Sequence, residues 1–344
     1  MSPSKTIGIL TGGGDCPGLN AVIRGLVVKA VQQGYRVMGF RRGFAGLLPD
    51  GQSTTLDLDD VHDIQMAGGT ILGTSHVNPL ETSGGPEAIA ATLKRHDIRA
   101  VAVVGGRTTL GYAEELHRVH GLPIVAVPKT INNDLSGTDF CFGFFTAVTN
   151  ATETLDRLMT FARSHEQVMV IEVKGGKSGS LAYYAGVASG ANMILVPEEP
   201  FTVEEVLNVV KKRRDDGYAS SLLVVAEGCW PNDLPSDARV ERDRQAVDES
   251  LVATALADTI ARKTGMATEA MVLDTLLRSG QPAGFDRVLG MRFGVHAAEL
   301  CAQGAAGRMV SLRGGAITDV PLAEALKPRP LDPELAAQSR IFRD

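Results

Sequence analysis

Short runs of β-branched and aliphatic residues alternate along the chain with amphipathic stretches long enough for helices. Residues 7–10, 36–40, 100–104 and 123–127 each read as a buried strand bounded by glycine, proline or a polar turn. A second series follows at 168–173, 193–197 and 222–226, with a helical pattern over 203–214. Strand and helix in strict alternation is the signature of βαβ units and a parallel sheet. The two series predict an α/β chain of two doubly wound, Rossmann-like lobes with mainly parallel sheets. The polar stretch 231–249, rich in Asp and Arg, reads as a solvated surface loop leading into a helix.

Composition narrows the class without deciding it. The 344 residues, 44% hydrophobic and 22% charged, suffice for two ordinary cores. The formal charge of −6 supplies no basic field for nucleic acid or an anionic membrane, so neither partner is expected. Cys16, Cys141, Cys229 and Cys301 stand far apart without a CxxC pair, and the N-terminus lacks an apolar leader, which predicts a cytoplasmic location. No apolar run approaches the roughly 20 residues of a membrane span.

Candidate chemistry begins at Thr11-Gly12-Gly13-Gly14-Asp15-Cys16-Pro17-Gly18-Leu19-Asn20. A strand runs into three glycines and then into a helix, so free amides and the positive helix end are expected to face one phosphate-sized spot. A packed thiol is expected at Cys16. Three further polar segments border strands: Gly68-Gly69-Thr70-Ile71-Leu72-Gly73-Thr74-Ser75, Val104-Gly105-Gly106 and Pro128-Lys129-Thr130-Ile131-Asn132-Asn133-Asp134-Leu135. In open α/β sheets such segments converge at the carboxyl edge, where ligands bind.

Together with Gly137-Thr138-Asp139, Gly190-Ala191-Asn192, Pro197-Glu198-Glu199 and Phe285-Asp286-Arg287-Val288-Leu289, these segments resemble the 6-phosphofructokinase family, in particular its actinobacterial and pyrophosphate-using branch. The resemblance spans about residues 5 to 326. It implies a donor lobe of residues 1–143 plus about 277–327, and an acceptor lobe of 144–276 plus about 328–344. It also implies phosphoryl transfer from ATP or pyrophosphate with Mg2+ to a sugar hydroxyl, in a homodimer or homotetramer. In such reactions the protein mainly positions groups and neutralises charge.

Carried over by position, the resemblance puts Gly12, Gly13 and Gly14 on the donor loop, and Lys129 and Thr130 on the transfer loop. Asp134 becomes a carboxylate near the metal, Glu227 an acceptor-hydroxyl contact and Arg278 a contact to acceptor phosphate. Other positions depart from the family's pattern. Asn132 stands where the family has the aspartate that takes the acceptor's proton; an amide does not accept one, and a general base contributes roughly 10²- to 10⁴-fold. Arg107 replaces the metal-binding acid, Thr108 the donor-discriminating residue and His76 an arginine toward the transferring phosphate. Lys129 points toward pyrophosphate.

Around the acceptor, Gln167, Gly176 beside Lys174, Glu269 and Thr275 stand where cations and a histidine are expected, and Asp274 replaces a glycine. Each lost charge-assisted contact is worth roughly 1.5 to 3 kcal/mol. These departures lead to two expectations. One is a retooled phosphotransferase acting on a neutral or cationic polyol, with Arg107 on the donor and Asp134 as the remaining base. The other is a catalytically silent homologue with a ligand-binding or partner role. Fructose 6-phosphate is not the expected acceptor under either.

Overall fold

A computed structural model describes residues 6–234 and 252–343. From residue 235 onward the polar stretch 231–249 therefore lies outside the described residues. Eleven strands occur among the described residues: β1 (Thr6–Thr11), β2 (Arg36–Phe40), β3 (Ser53–Leu56), β4 (Ile98–Gly105), β5 (Ile124–Pro128), β6 (Val168–Val173), β7 (Met193–Leu195), β8 (Ser221–Ala226), β9 (Thr268–Leu273), β10 (Arg308–Arg313) and β11 (Ala316–Pro321). The principal helices are α1 (Leu19–Gln32), α2 (Gly85–Arg95), α3 (Arg107–His120), α4 (Phe144–His165), α5 (Ser180–Ala188), α6 (Val203–Asp215), α7 (Val252–Thr264) and α8 (Gly284–Gln303).

The chain divides into two compact units. The first comprises Met1–Ile131, Leu135–Thr146 and Arg278–Pro328; the second comprises Asn132–Asp134, Ala147–Leu277 and Arg329–Asp344. The first unit holds a seven-stranded sheet in the order β11-β10-β5-β4-β1-β2-β3. Its interior pairs are parallel, and only the outer pairs β2–β3 and β10–β11 run antiparallel. The second unit has a wholly parallel sheet, β7-β8-β6-β9. The fold is thus α/β with mainly parallel sheets, and every expected strand run lies in one of them.

The strands that pattern alone passes over explain themselves. β3 reads Ser-Thr-Thr-Leu on an edge, and β9 leaves Glu269, Ala270, Met271 and Val272 exposed on another. Neither needs an apolar run, because these edge strands are largely solvated: β9 is exposed at four consecutive positions and β3 is buried only at Leu56. The interior strands β1, β5, β6 and β8 are buried at every position.

Leu10, Phe40, Val101, Val103, Leu110, Leu116, Ile124 and Met309 pack in one core of the first unit. At about 1.5 to 3 kcal/mol per large buried side chain, that core fixes the carboxyl ends of β1, β4 and β5. Asp286, fully buried on α8, accepts hydrogen bonds from the amide and hydroxyl of Thr146, both at 2.6 Å, at the start of α4. Burial pushes the Asp286 carboxyl up, and these bonds from Thr146 oppose it. All four cysteines are free and buried, as a packed thiol at Cys16 requires. Among the described residues, no helix is long and apolar enough to cross a membrane.

Candidate active site

In the first unit β1 ends at Thr11 and the glycine loop follows. Its amides are only partly available. Gly12 N–H donates to Val104 O and Gly13 N–H to Ser75 O, each at 2.9 Å. The expectation of free amides is corrected for two of them: backbone donors this deep must be paired, and here neighbouring loops pair Gly12 and Gly13. The same bonds fasten the segment around Gly68 to Ser75. Thr11 Oγ1 donates to Gly73 O at 2.8 Å, Thr74 Oγ1 donates to Gly13 O at 2.5 Å, and Asn20 Oδ1 accepts from Ile71 N–H at 2.9 Å. His76 follows this staple as an exposed side chain.

Glycine is required at position 12 by packing. A Cβ there would lie 2.8 Å from Thr109 Cγ2, inside contact distance. Thr109, buried in the first turn of α3, was invisible to motif reasoning, because nothing in the sequence says which side chain covers the loop.

Two cations converge on Gly14. Lys129, just past β5 and 5% exposed, donates from Nζ to Gly14 O, while Arg278 Nη1 lies 2.8 Å from where a Gly14 Cβ would stand. Burial holds the Lys129 amine below its ordinary range; the nearby Cys16 and Asp15 oppose this, and Arg278 adds to it. A buried ammonium beside a guanidinium is a receptor for an anion. Arg278, expected at acceptor phosphate, thus stands beside the donor loop in the first unit. Cys16 is no nucleophile: burial pushes its thiol up to about 12. Arg107 opens α3 and donates to Leu326 O at 2.6 Å, with Thr108 exposed next to it. Thr130 is half-buried after Lys129.

The second unit gathers a different set. Asn133 adopts φ 52°, a left-handed turn that carries Asn132 and half-buried Asp134. Asn132 Nδ2 lies 3.5 Å from where a Gly176 Cβ would stand, which sets this turn against the loop that follows β6. That loop is fastened to Glu227, the residue after β8. Glu227 accepts from Gly176 N–H at 2.9 Å, Gly175 N–H at 3.2 Å and Lys174 Nζ at 3.1 Å. Burial pushes the Glu227 carboxyl up, but these three donors outweigh it and hold it below its ordinary range. Asp274 Oδ2 lies 3.7 Å from Lys174 Nζ, so one cation faces two carboxylates, and Thr275 follows, exposed.

Two expected acceptor residues are not brought to this group. Gln167 precedes β6 and Lys174 follows it, so six strand residues separate them, about 20 Å of extended chain. The buried Gln167 amide donates to Met169 Sδ at 3.2 Å. Glu269 pairs with Met169 in the same half of the sheet and is exposed. Among the described residues, no group of three or more His, Cys, Asp or Glu side chains is arranged to hold a metal ion.

Fold and cradle define a class: an α/β protein of parallel sheets whose glycine loop, flanked by two cations, suits a phosphate-bearing ligand. The chain belongs to the phosphofructokinase family, whose model, described as Phosphofructokinase, matches residues 6–301. It is 48% identical over 340 residues to a pyrophosphate–fructose 6-phosphate 1-phosphotransferase of Amycolatopsis methanolica, covering 98% of this chain and 99% of the relative. It is 43% identical over 336 residues to an ATP-dependent 6-phosphofructokinase of Mycobacterium tuberculosis, covering 95% and 96%. Among solved structures, phosphofructokinase from Saccharomyces cerevisiae superposes with a TM-score of 0.84 at 26% identity, covering 99% of this chain and 47% of that one.

These likenesses overturn the expected departure from fructose 6-phosphate. Neither a polyol phosphotransferase nor a silent homologue agrees with relatives 43 to 48% identical over nearly their full length that are named for phosphofructokinase activity. The error lay in summing lost contacts position by position. Phosphoryl transfer passes through a loose transition state in which positioning and charge neutralisation dominate, so an amide at one motif position does not decide whether the whole site is active. The sum also weighed the lost contacts without the retained cations, and Lys174 and Lys129 are both in place.

Proposed function

We propose that this chain transfers a phosphoryl group from pyrophosphate to the 1-hydroxyl of fructose 6-phosphate. The identity of 48% across 98% of the chain to a relative named for that reaction carries the reading. The pairing of buried Lys129 with Arg278 at Gly14 supports a compact, highly charged donor. Both cations neutralise charge on the donor and on the orthophosphate that leaves.

Magnesium bound with the donor would neutralise charge on its phosphates. Lys174 faces the acceptor, fixed by Glu227 and Asp274. Asn132 orients the acceptor hydroxyl by donating from its amide, and Asp134, the carboxylate of the same turn, takes the proton. Exposed Glu269 serves a neighbouring copy in a homo-oligomer, which sedimentation of the purified chain tests: a monomer at assay concentration refutes that assignment.

The function itself is tested by ³¹P NMR of the chain with Mg2+, fructose 6-phosphate and either pyrophosphate or ATP. Fructose 1,6-bisphosphate formed with a higher kcat/KM from pyrophosphate is the expected result. A higher kcat/KM from ATP overturns the donor assignment, and no bisphosphate from either donor overturns the function.

A further inference from the structure

The acceptor loop has a second fastening that no substrate contact explains. After Lys174, Gly175 and Gly176 it turns back through Ser178, whose N–H donates to Gly175 O at 3.0 Å, and enters α5 at Gly179. The Gly179 N–H points between both oxygens of Glu198, at 3.1 Å from each. Glu198 stands just beyond β7, and its Oε1 also accepts from Leu331 N–H at 2.7 Å. Leu331 is buried in the segment that closes the second unit. That segment is tied down twice more, by Gln338 Oε1 accepting from Tyr183 Oη at 2.6 Å and by Arg340 pairing with Glu199.

Gly179 admits no side chain here. A Cβ would lie 2.4 Å from Val196 Cβ and 2.6 Å from Glu198 Oε2. The loop is therefore gripped at its start by Glu227 and at its end by Glu198, and only the second grip reaches the C-terminal segment.

We infer that Glu198 is a positioning residue for fructose 6-phosphate, setting the end of the Lys174–Gly179 loop by bridging its last amide to the C-terminal strap at Leu331. A carboxylate accepting from two amides fixes two backbone segments at one point, and with it the register of Lys174 and Gly176. The inference rests on the proposed function for its substrate, but the mechanical part stands apart from it.

Both parts are tested on the full-length chain. Glu198→Ala is expected to raise the KM for fructose 6-phosphate about tenfold, the equivalent of one charge-assisted hydrogen bond, with the KM for pyrophosphate held within about twofold. Glu198→Gln, which keeps one acceptor oxygen, falls between and serves in its place should the alanine variant not fold. Arg340→Ala, cutting only the outer ion pair, leaves both constants unchanged.

Hydrogen exchange followed by mass spectrometry gives a readout free of turnover. Peptides covering residues 174–183 exchange faster in Glu198→Ala, while those covering 11–20 do not. Equal rises in both KM values, or exchange in 174–183 identical to wild type, overturns the inference. A wild-type chain without turnover refutes the proposed function, and the exchange comparison then decides the mechanical part alone.

Discussion

The glycine loop of the first unit and the Lys174–Gly179 loop of the second are built from opposite materials. Around Gly12 to Gly14 the fastenings are backbone amides, carbonyls, hydroxyls and the Lys129 ammonium, packed so tightly that Thr109 excludes a side chain at position 12. Around Lys174 to Gly179 they are two carboxylates, Glu227 and Glu198, each collecting amides from separate segments. The first arrangement is fastened without a carboxylate, with the buried Lys129 ammonium on Gly14 O, and admits little adjustment. The second turns on carboxylates, so single carboxylate substitutions act on that loop first, and acid acts there through Glu227.

The largest expected effect falls on the transfer turn. Asp134→Asn lowers kcat by about 10²- to 10⁴-fold with fructose 6-phosphate affinity retained; a smaller loss in steady-state kinetics takes the base away from Asp134. Lys129→Met removes the buried cation from the donor side and lowers kcat/KM for pyrophosphate by about 10²- to 10³-fold, leaving fructose 6-phosphate binding by calorimetry intact.

Glu227→Ala leaves three donors without their acceptor and lowers stability by about 2 to 3 kcal/mol in urea unfolding. Because the folded-state pKa of Glu227 lies below its ordinary 4.5, its stabilisation is full above that value and fades as pH falls through the folded one. The gap between wild type and variant therefore narrows in acid, and a gap that is constant with pH contradicts the carboxylate's role. On the donor side, Gly12→Ala costs about 1 to 3 kcal/mol by overpacking, and adding Thr109→Ser recovers part of it. The smallest effect belongs to the exposed Arg340–Glu199 pair, where Arg340→Ala changes stability by about 0 to 1 kcal/mol.

The same contrast governs what the sequence reveals. Most interior strands announce themselves because both faces are buried, as residues 168–173 do, although pattern alone passes over β10, buried from Met309 to Leu312; the glycine loop shows as three glycines after a strand. Edge strands β3 and β9, half solvated, carry no such period. At the site, position in a motif located Lys129, Glu227 and Lys174, since each sits at the end of a strand. It did not locate Thr109 or reveal what Glu198 does, although Pro197-Glu198-Glu199 was visible, because their partners lie in α3 and in the C-terminal segment. Nor did it show that Gln167 and Glu269 belong to the amino half of their sheet, a matter of register.

The departures at Asn132 and Arg107 misled for a related reason: a substitution in a motif reports one lost contact, while activity depends on the whole charge balance around the transferred group. The most direct test is a stoichiometric one on the purified full-length chain with Mg2+, fructose 6-phosphate and pyrophosphate. Orthophosphate and fructose 1,6-bisphosphate appearing one for one, and disappearing together in Lys129→Met, is the predicted result. Orthophosphate released without bisphosphate, or neither product formed, contradicts it.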